Sequence, residues 1–363
     1  MRVAILGAGA IAFGGAAYLT DRGHDPILWS PSGRRTRDLA AGTPLVATGA
    51  LEGEFRPRIA SSCGEAIDGA DAIFVALPAN GHRAVFDAAA PHIGPGQMVV
   101  ISGHLSFGAL YLAKKLAERE LQVPITAWGT TVTTGRQPGP TQVKIANIRK
   151  KVDAATVPTR ASEHGLAVCR ELFGDRFVPR ADLLAISVSN LNPQNHMGIA
   201  LLNLTRMERG EAWGQSQNLT EAVGRLLEAL DAERLAIARA IGAEVRTIRE
   251  HYHLSFDVPL GSVGEMSRAM HQRGDGTLGP TNLDTRYVLE DVPFGLVPTE
   301  RLGRLAGAPA VLHESGINLL SAIYGRDFRA ENDLLPALGL ERLSVTALRT
   351  LCREGWRSGA MVA

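Results

Sequence analysis

The sequence predicts an α/β N-terminal domain, a parallel doubly wound sheet flanked by helices, followed by an all-α C-terminal domain. Three observations predict it. The first 30 residues spell a strand, a glycine turn, a helix and a second strand. Further apolar strand segments recur, separated by helix-length intervals, up to about residue 181. Beyond that point the hydrophobic period changes from two to about 3.6. A chain of 363 residues with 45% hydrophobic content has enough apolar side chains for two cores. The domains are expected at 1–181 and 182–363.

In order, RVAILGAGAIAFGGAAYLTDRGHDPILWS gives a buried strand from Val3 to Leu6, a turn, a helix from Ala10 to Asp21, a stop at Gly23 and a strand from Pro26 to Trp29. This βαβ unit carries Gly7-x-Gly9-x-x-Ala12, the dinucleotide fingerprint of a Rossmann domain, in its required strand-to-helix context. Gly7 permits the tight turn, Gly9 lets the backbone approach a pyrophosphate, and Ala12 keeps helix and strand close. The helix N-terminus offers free N–H groups to the anion. The alternative is a packing turn with no ligand.

The end of the second strand selects the cofactor. NAD sites place an Asp or Glu there to accept from the ribose 2′-hydroxyl. Here the chain runs into Ser30-Pro31-Ser32-Gly33-Arg34-Arg35. Ser30, Arg34 and Arg35 suit a 2′-phosphate, so NADP(H) is expected in preference to NAD(H); the plain alternative is a solvated basic loop.

Strands are expected at Ala72–Leu77, stopped by Leu77-Pro78, and at Met98–Ser102. Ligands sit outside the carboxyl ends of strands in such sheets, which puts Pro78, Asn80, Gly103 and His104 in the crevice. PITAWGTT, with Thr130, and TQVKIANIRKKV read as two more strands, the second an alternating edge.

Helices are expected at about 195–208, 219–240, 243–250, 299–306 and 311–324. In the second of these, Val223, Leu226, Leu227, Leu230, Ile237 and Ile241 form a core face. The stretch 271–298 reads as a long loop rich in glycine, proline and charge, a length usually kept for function. In NLNPQNHMGIALLNL, His196 stands at the mouth of an apolar helical run with Asn192, Asn195 and Asn203 around it. By itself it reads equally as a helix-start histidine satisfied by those asparagines. His251 and His253, two residues apart, point to different sides of a helix, and no metal is expected.

Composition removes several functions. A net charge of +1 provides no basic field for nucleic acid. The N-terminal apolar run has internal glycines and lacks a cleavage site, which argues against a signal peptide. No segment supplies the roughly 18 to 20 apolar residues that a bilayer crossing needs. Cys63, Cys169 and Cys352 are odd in number and far apart, so neither a disulfide framework nor a paired-cysteine metal site is suggested. A cytoplasmic protein without membrane association is expected. Serine-nucleophile signatures such as G-x-S-x-G are absent.

The glycine turn at 7–12, the NLNPQNH segment, ALDAERLAIARAIG and RYVLEDVPFGLVP together resemble the octopine/nopaline (opine) dehydrogenase family over nearly the whole chain. The resemblance implies reductive condensation of an amino acid's amine with a 2-oxo acid, using a reduced nicotinamide cofactor. It also implies a histidine–aspartate pair in the helical domain, falling by motif on His196 and Asp291. Histidine is the side chain whose pKa best suits proton transfer near neutral pH, and a carboxylate on its other ring nitrogen fixes the tautomer. His104, Thr130, Asn192 and Asn195 are the further expected substrate contacts. Where relatives often carry an acidic residue, AWGTTVTTGR offers hydroxyls and Arg136, which implies an amine substrate without a cationic side chain. Expected partners are an amino acid and a 2-oxo acid, with a second copy of the chain admitted as a homodimer. The competing functions are a reductase or dehydrogenase of a simple 2-keto or hydroxy acid, and an NADP(H)-sensing regulatory protein.

Overall fold

A computed structural model describes residues 1–356. Two compact units result: Met1–Ile186 joined by the described residues from Thr346, and Ser187–Val345. This corrects the contiguous second domain expected at 182–363, because the last helix, Val345–Glu354, returns to the first unit. It buries Leu348 and Cys352, and Arg353 pairs with the buried Asp182 at 2.9 Å. Trp356 then donates from its indole nitrogen to the Leu110 carbonyl.

Among the described residues the first unit contains twelve strands: β1 (Arg2–Leu6), β2 (Asp25–Trp29), β3 (Leu45–Gly49), β4 (Gly53–Phe55), β5 (Arg58–Ile59), β6 (Ala72–Val75), β7 (Met98–Ile101), β8 (Ile125–Trp128), β9 (Thr133–Gly139), β10 (Gln142–Ile148), β11 (Val152–Val157) and β12 (Phe177–Pro179). Eight form one sheet in the order β12-β11-β8-β7-β6-β1-β2-β5. It is parallel from β5 to β8, and β11 pairs antiparallel with β8. The parallel strands are near-continuous apolar runs such as Val3–Leu6 and Met98–Ile101, as strands covered on both faces require.

The segment TQVKIANIRKKV is not an edge of this sheet. Its first half, β10, lies inside a second sheet of order β4-β3-β10-β9, and its second half begins β11. Alternation explains the placement: Val143 and Ile145 are buried in the core that includes Phe13 of the helix Ala10–Asp21, while Lys144 faces outward.

The second unit is helical, with Asn192–Leu202, Leu204–Glu208, Glu221–Ala240, Ile248–Phe256, Val263–Gln272, Val297–Leu305 and Val311–Tyr324 as its main helices. The helix expected at 243–250 starts instead at Ile248, behind a capping box formed by Thr247 and Glu250. Gly198 lets the helix Asn192–Leu202 pack hard on Glu221–Ala240, since a Cβ there would lie 2.5 Å from the Leu227 side chain. The long loop expected at 271–298 is also shorter than the sequence suggested. The chain is helical again from Arg286, with Arg286–Leu289 followed by a π-helical turn, Val292–Leu296. In that turn the Val297 N–H reaches back to the Val292 carbonyl. The buried Asn332 donates from Nδ2 to the Pro293 carbonyl at 2.7 Å. Among the described residues, no helix is long and apolar enough to cross a membrane.

Candidate active site

In the first unit the fingerprint glycines are required by geometry. Gly7 has φ +139°, and a Cβ there would stand 2.2 Å from the Ala76 carbonyl oxygen at the end of β6. Gly9 forms the N-cap of the helix Ala10–Asp21, and no acidic residue occupies that helix's first turn. Ala12 is fully buried beneath it. The nearest side-chain atom to a Cβ built on Gly9 is a guanidinium nitrogen of Arg35, 3.8 Å away, so Arg35 overhangs the glycine turn. Ser30 follows β2 directly, with its hydroxyl buried and without a hydrogen-bond partner among the described residues. Arg34 and Arg35 are exposed, and neither guanidinium is paired among the described residues. An orphaned hydroxyl, two free guanidiniums and an open glycine turn fit the phosphates of a dinucleotide cofactor.

Pro78 is exposed just past β6, in extended conformation at the start of a short 3-10 turn. His104 follows β7 after Gly103, and its backbone N–H donates to the Trp128 carbonyl at the end of β8. That bond brings His104 close to the Gly129–Thr130 turn, and Gly103 lies against Thr131. The His104 ring is buried, and neither of its nitrogens has a partner among the described residues. Burial, reinforced by the neighbouring His82, holds its pKa down at about 3, so the ring is neutral. Arg136 belongs to β9 of the second sheet, opposite Lys144.

In the second unit, His196 and Asp291 meet. His196 Nδ1 lies 2.6 Å from Asp291 Oδ2, and Asp291 is fully buried whereas the imidazole keeps part of its edge open. An ionised carboxylate only accepts, so the bond places a proton on Nδ1 and leaves Nε2 for other chemistry. The asparagines are not the histidine's partners. Asn192 begins the helix, its N–H donating to the Asn190 side chain, and Asn203 folds back onto the Ile199 carbonyl. Asn195 Oδ1 is buried without a partner. His253 is engaged with the Val258 carbonyl, and no group of three or more potential metal ligands occurs among the described residues.

Two neighbours of the pair were not singled out in advance. Tyr287 stacks on the His196 ring, with centroids 3.6 Å apart and planes inclined by 8°. Arg286 stands beside the pair. Burial works against its charge, but the Asp291 and Glu290 carboxylates outweigh that and hold its pKa above the usual value. A signal existed for Tyr287, which precedes Asp291 by four positions and so shares its face on a helical path; Arg286 stands one residue before Tyr287.

Residues 179–324 match a family profile described as NAD/NADP octopine/nopaline dehydrogenase, alpha-helical domain. Residues 3–152 match that of ketopantoate reductase PanE/ApbA. The opine dehydrogenase of Arthrobacter sp. (strain 1C) is 32% identical over 96% of this chain and 97% of its own length. This chain belongs to the opine dehydrogenase family. The opine dehydrogenase fold is shared by an octopine dehydrogenase solved with NADH and L-arginine, at 17% identity, TM-score 0.78 and 99% coverage of both chains. A yersinopine dehydrogenase solved with NADP+ also shares it, at 15% identity and TM-score 0.72, over 94% of this chain and 98% of that one. As a family member the protein is a nicotinamide-dependent oxidoreductase acting on CH–NH bonds. It condenses the amine of an amino acid reductively with a 2-oxo acid.

Proposed function

We propose that His196 and Asp291 are the proton-transfer pair of this opine dehydrogenase, that Arg286 receives a substrate carboxylate, and that NADPH is the preferred reductant. The observation that carries the reading is the 2.6 Å contact between His196 Nδ1 and the buried Asp291 carboxylate. Asp291 fixes the tautomer, so neutral His196 presents a lone pair at Nε2 and charged His196 presents a proton there. In the first state it takes the proton that the incoming amine must lose. In the second it protonates the departing hydroxyl of the carbinolamine, so that water leaves and the C=N bond forms. The amine nitrogen keeps its remaining hydrogen, so the C=N group forms in its protonated, electrophilic state, and hydride addition to its carbon gives the neutral secondary amine with His196 back in its neutral form. The cofactor, when bound, contributes the hydride. Gly7, Gly9 and Ala12 would hold its pyrophosphate, with Ser30, Arg34 and Arg35 around a 2′-phosphate. The absence of an acid after Trp29 and the two unpaired guanidiniums favour NADPH. His104, Thr130, Asn192 and Asn195 are proposed substrate contacts, supported for His104 and Asn195 by buried polar atoms without partners. The AWGTTVTTGR segment favours small polar or apolar amino acids over arginine. Three free, buried cysteines fit a reducing, cytoplasmic setting.

The test is NADPH consumption across a matrix of 2-oxo acids with and without amino acids, with the product identified by mass. Consumption should require both partners and yield the condensed amine. Equal consumption with the oxo acid alone, and no condensed amine, would leave a simple keto-acid reductase in its place.

A further inference from the structure

We propose that Tyr287 is a positioning residue for His196, and that Gln215 sets it by anchoring its hydroxyl to the loop 277–280; this rests on His196 being the proton-transfer group. The imidazole is held in two perpendicular ways. Asp291 fixes it in its own plane through Nδ1, and the Tyr287 ring covers one face at 3.6 Å, nearly parallel. In-plane bonding limits rotation of the ring, and the stack limits its tilt. Nε2 is therefore held in one direction. Tyr287 and Asp291 can act together because they lie four residues apart on one helical path.

The stack also has an electrostatic consequence. The Tyr287 hydroxyl donates to Gln215 Oε1 at 2.6 Å. Donating this proton leaves the phenol oxygen richer in electron density, and the ring with it, which favours a cation lying on its face. Tyr287 thus favours the charged form of His196, the form that delivers a proton to the departing hydroxyl.

Gln215 is itself fastened to the remaining loop. Its N–H donates to the Thr277 carbonyl at 2.8 Å, Gly214 forms an antiparallel bridge with Leu278, and the Gly279 N–H donates to the Trp213 carbonyl. Trp213 closes the clamp by donating from its indole nitrogen to the Pro280 carbonyl, at 3.0 Å. Gly279 is obligatory here, because a Cβ would lie 2.1 Å from the Trp213 ring. A continuous set of contacts therefore runs from the loop through Trp213, Gln215 and Tyr287 to the histidine.

The experiment is steady-state kinetics on Tyr287→Leu, Tyr287→Phe, Gln215→Leu, the Tyr287→Phe/Gln215→Leu double variant, His196→Ala and His196→Ala/Tyr287→Leu, with NADPH affinity followed by fluorescence titration. Loss of the stack in Tyr287→Leu should lower kcat by about 10-fold or more and leave NADPH affinity within about 2-fold. Tyr287→Phe keeps the stack and Gln215→Leu removes only its anchor, so each should cost about 2- to 5-fold, and the pair together no more than either alone. In the His196→Ala background, Tyr287→Leu should change kcat by less than about 2-fold, since its target is gone. Wild-type kcat in Tyr287→Leu, or an undiminished effect without His196, overturns the proposal and leaves the proton-transfer pair standing. Wild-type turnover in His196→Ala overturns both readings. If Tyr287→Leu does not fold, the hydroxyl–Gln215 pair decides: equal, non-additive losses support the proposal, and no loss in either variant overturns it.

Discussion

Gln194, two residues ahead of His196, donates from Nε2 to Asp231 Oδ1 at 3.0 Å, inside the protein. The first turn of the His196 helix is thereby tied to a buried ion pair on the helix Glu221–Ala240. Arg234 donates from Nε and Nη2 to the same Asp231 oxygen, and to the carbonyls of Val188 and Arg246. The other Asp231 oxygen accepts the Ile248 N–H at 2.8 Å, capping the start of the next helix. Both Asp231 oxygens and all three Arg234 guanidinium nitrogens are engaged, so removing one charge strands the other.

Asp231→Ala is accordingly expected to destabilise the protein by about 3 to 5 kcal/mol, the usual cost of orphaning one member of a buried pair. Replacing both Asp231 and Arg234 by apolar residues of similar volume should cost much less than the single change. Urea unfolding of the two variants beside the wild type checks this. Similar midpoints for Asp231→Ala and the wild type would show that the pair is dispensable.

Replacing Arg34 and Arg35 together by Ala should raise the Michaelis constant for NADPH far more than for NADH. Only the 2′-phosphate loses charge-assisted bonds, worth about 1.5 to 3 kcal/mol each. Initial-rate measurements with the two cofactors check the difference. Equal changes for both would assign the arginines to the shared pyrophosphate or to solvent.

Acid should weaken the first unit through its two buried histidines. Burial lowers the pKa of His82 to about 4 and of His104 to about 3, against 6.5 for the free side chain. Between pH 6.5 and about 4 the unfolded chain binds protons at these positions and the folded one does not. Stability therefore falls as pH drops through that window, by about 1.4 kcal/mol per pH unit for each histidine. Above pH 6.5 both states are neutral there, and these groups add no slope. His104→Asn should flatten the acid side of a stability–pH curve measured by urea unfolding from pH 4 to 7. An unchanged slope would show that His104 already accepts a proton in the folded state.

Local signals in the sequence were enough for the nucleotide half of the protein. The turn at Gly7, Gly9 and Ala12 reads directly because strand, tight turn and helix follow within a few positions, and backbone sterics leave little choice of residue at φ +139°. The loop carrying Ser30, Arg34 and Arg35 is located just as directly, since it stands immediately after a recognisable strand. The periodicity of Glu221–Ala240 and the apolar runs of the parallel strands likewise announce their faces. The second sheet did not read this way: β4 has only three residues, and the partner that makes β10 an interior strand lies almost a hundred residues earlier.

The site in the helical unit divides differently. His196 and Asp291, 95 positions apart, could be paired from the sequence only by resemblance, because neither residue carries a local mark of its partner. The 2.6 Å bond, the stacking of Tyr287 and its anchoring by Gln215 were decided by tertiary structure alone. So was the return of Val345–Glu354 to the first unit, where the buried Asp182 takes up Arg353. The physical reason is range. Backbone conformation and hydrophobic period are set by neighbours within a turn or two, and they are written in consecutive residues. Burial of a carboxylate beside an imidazole is set by which helices pack together, and that is a property of the whole core.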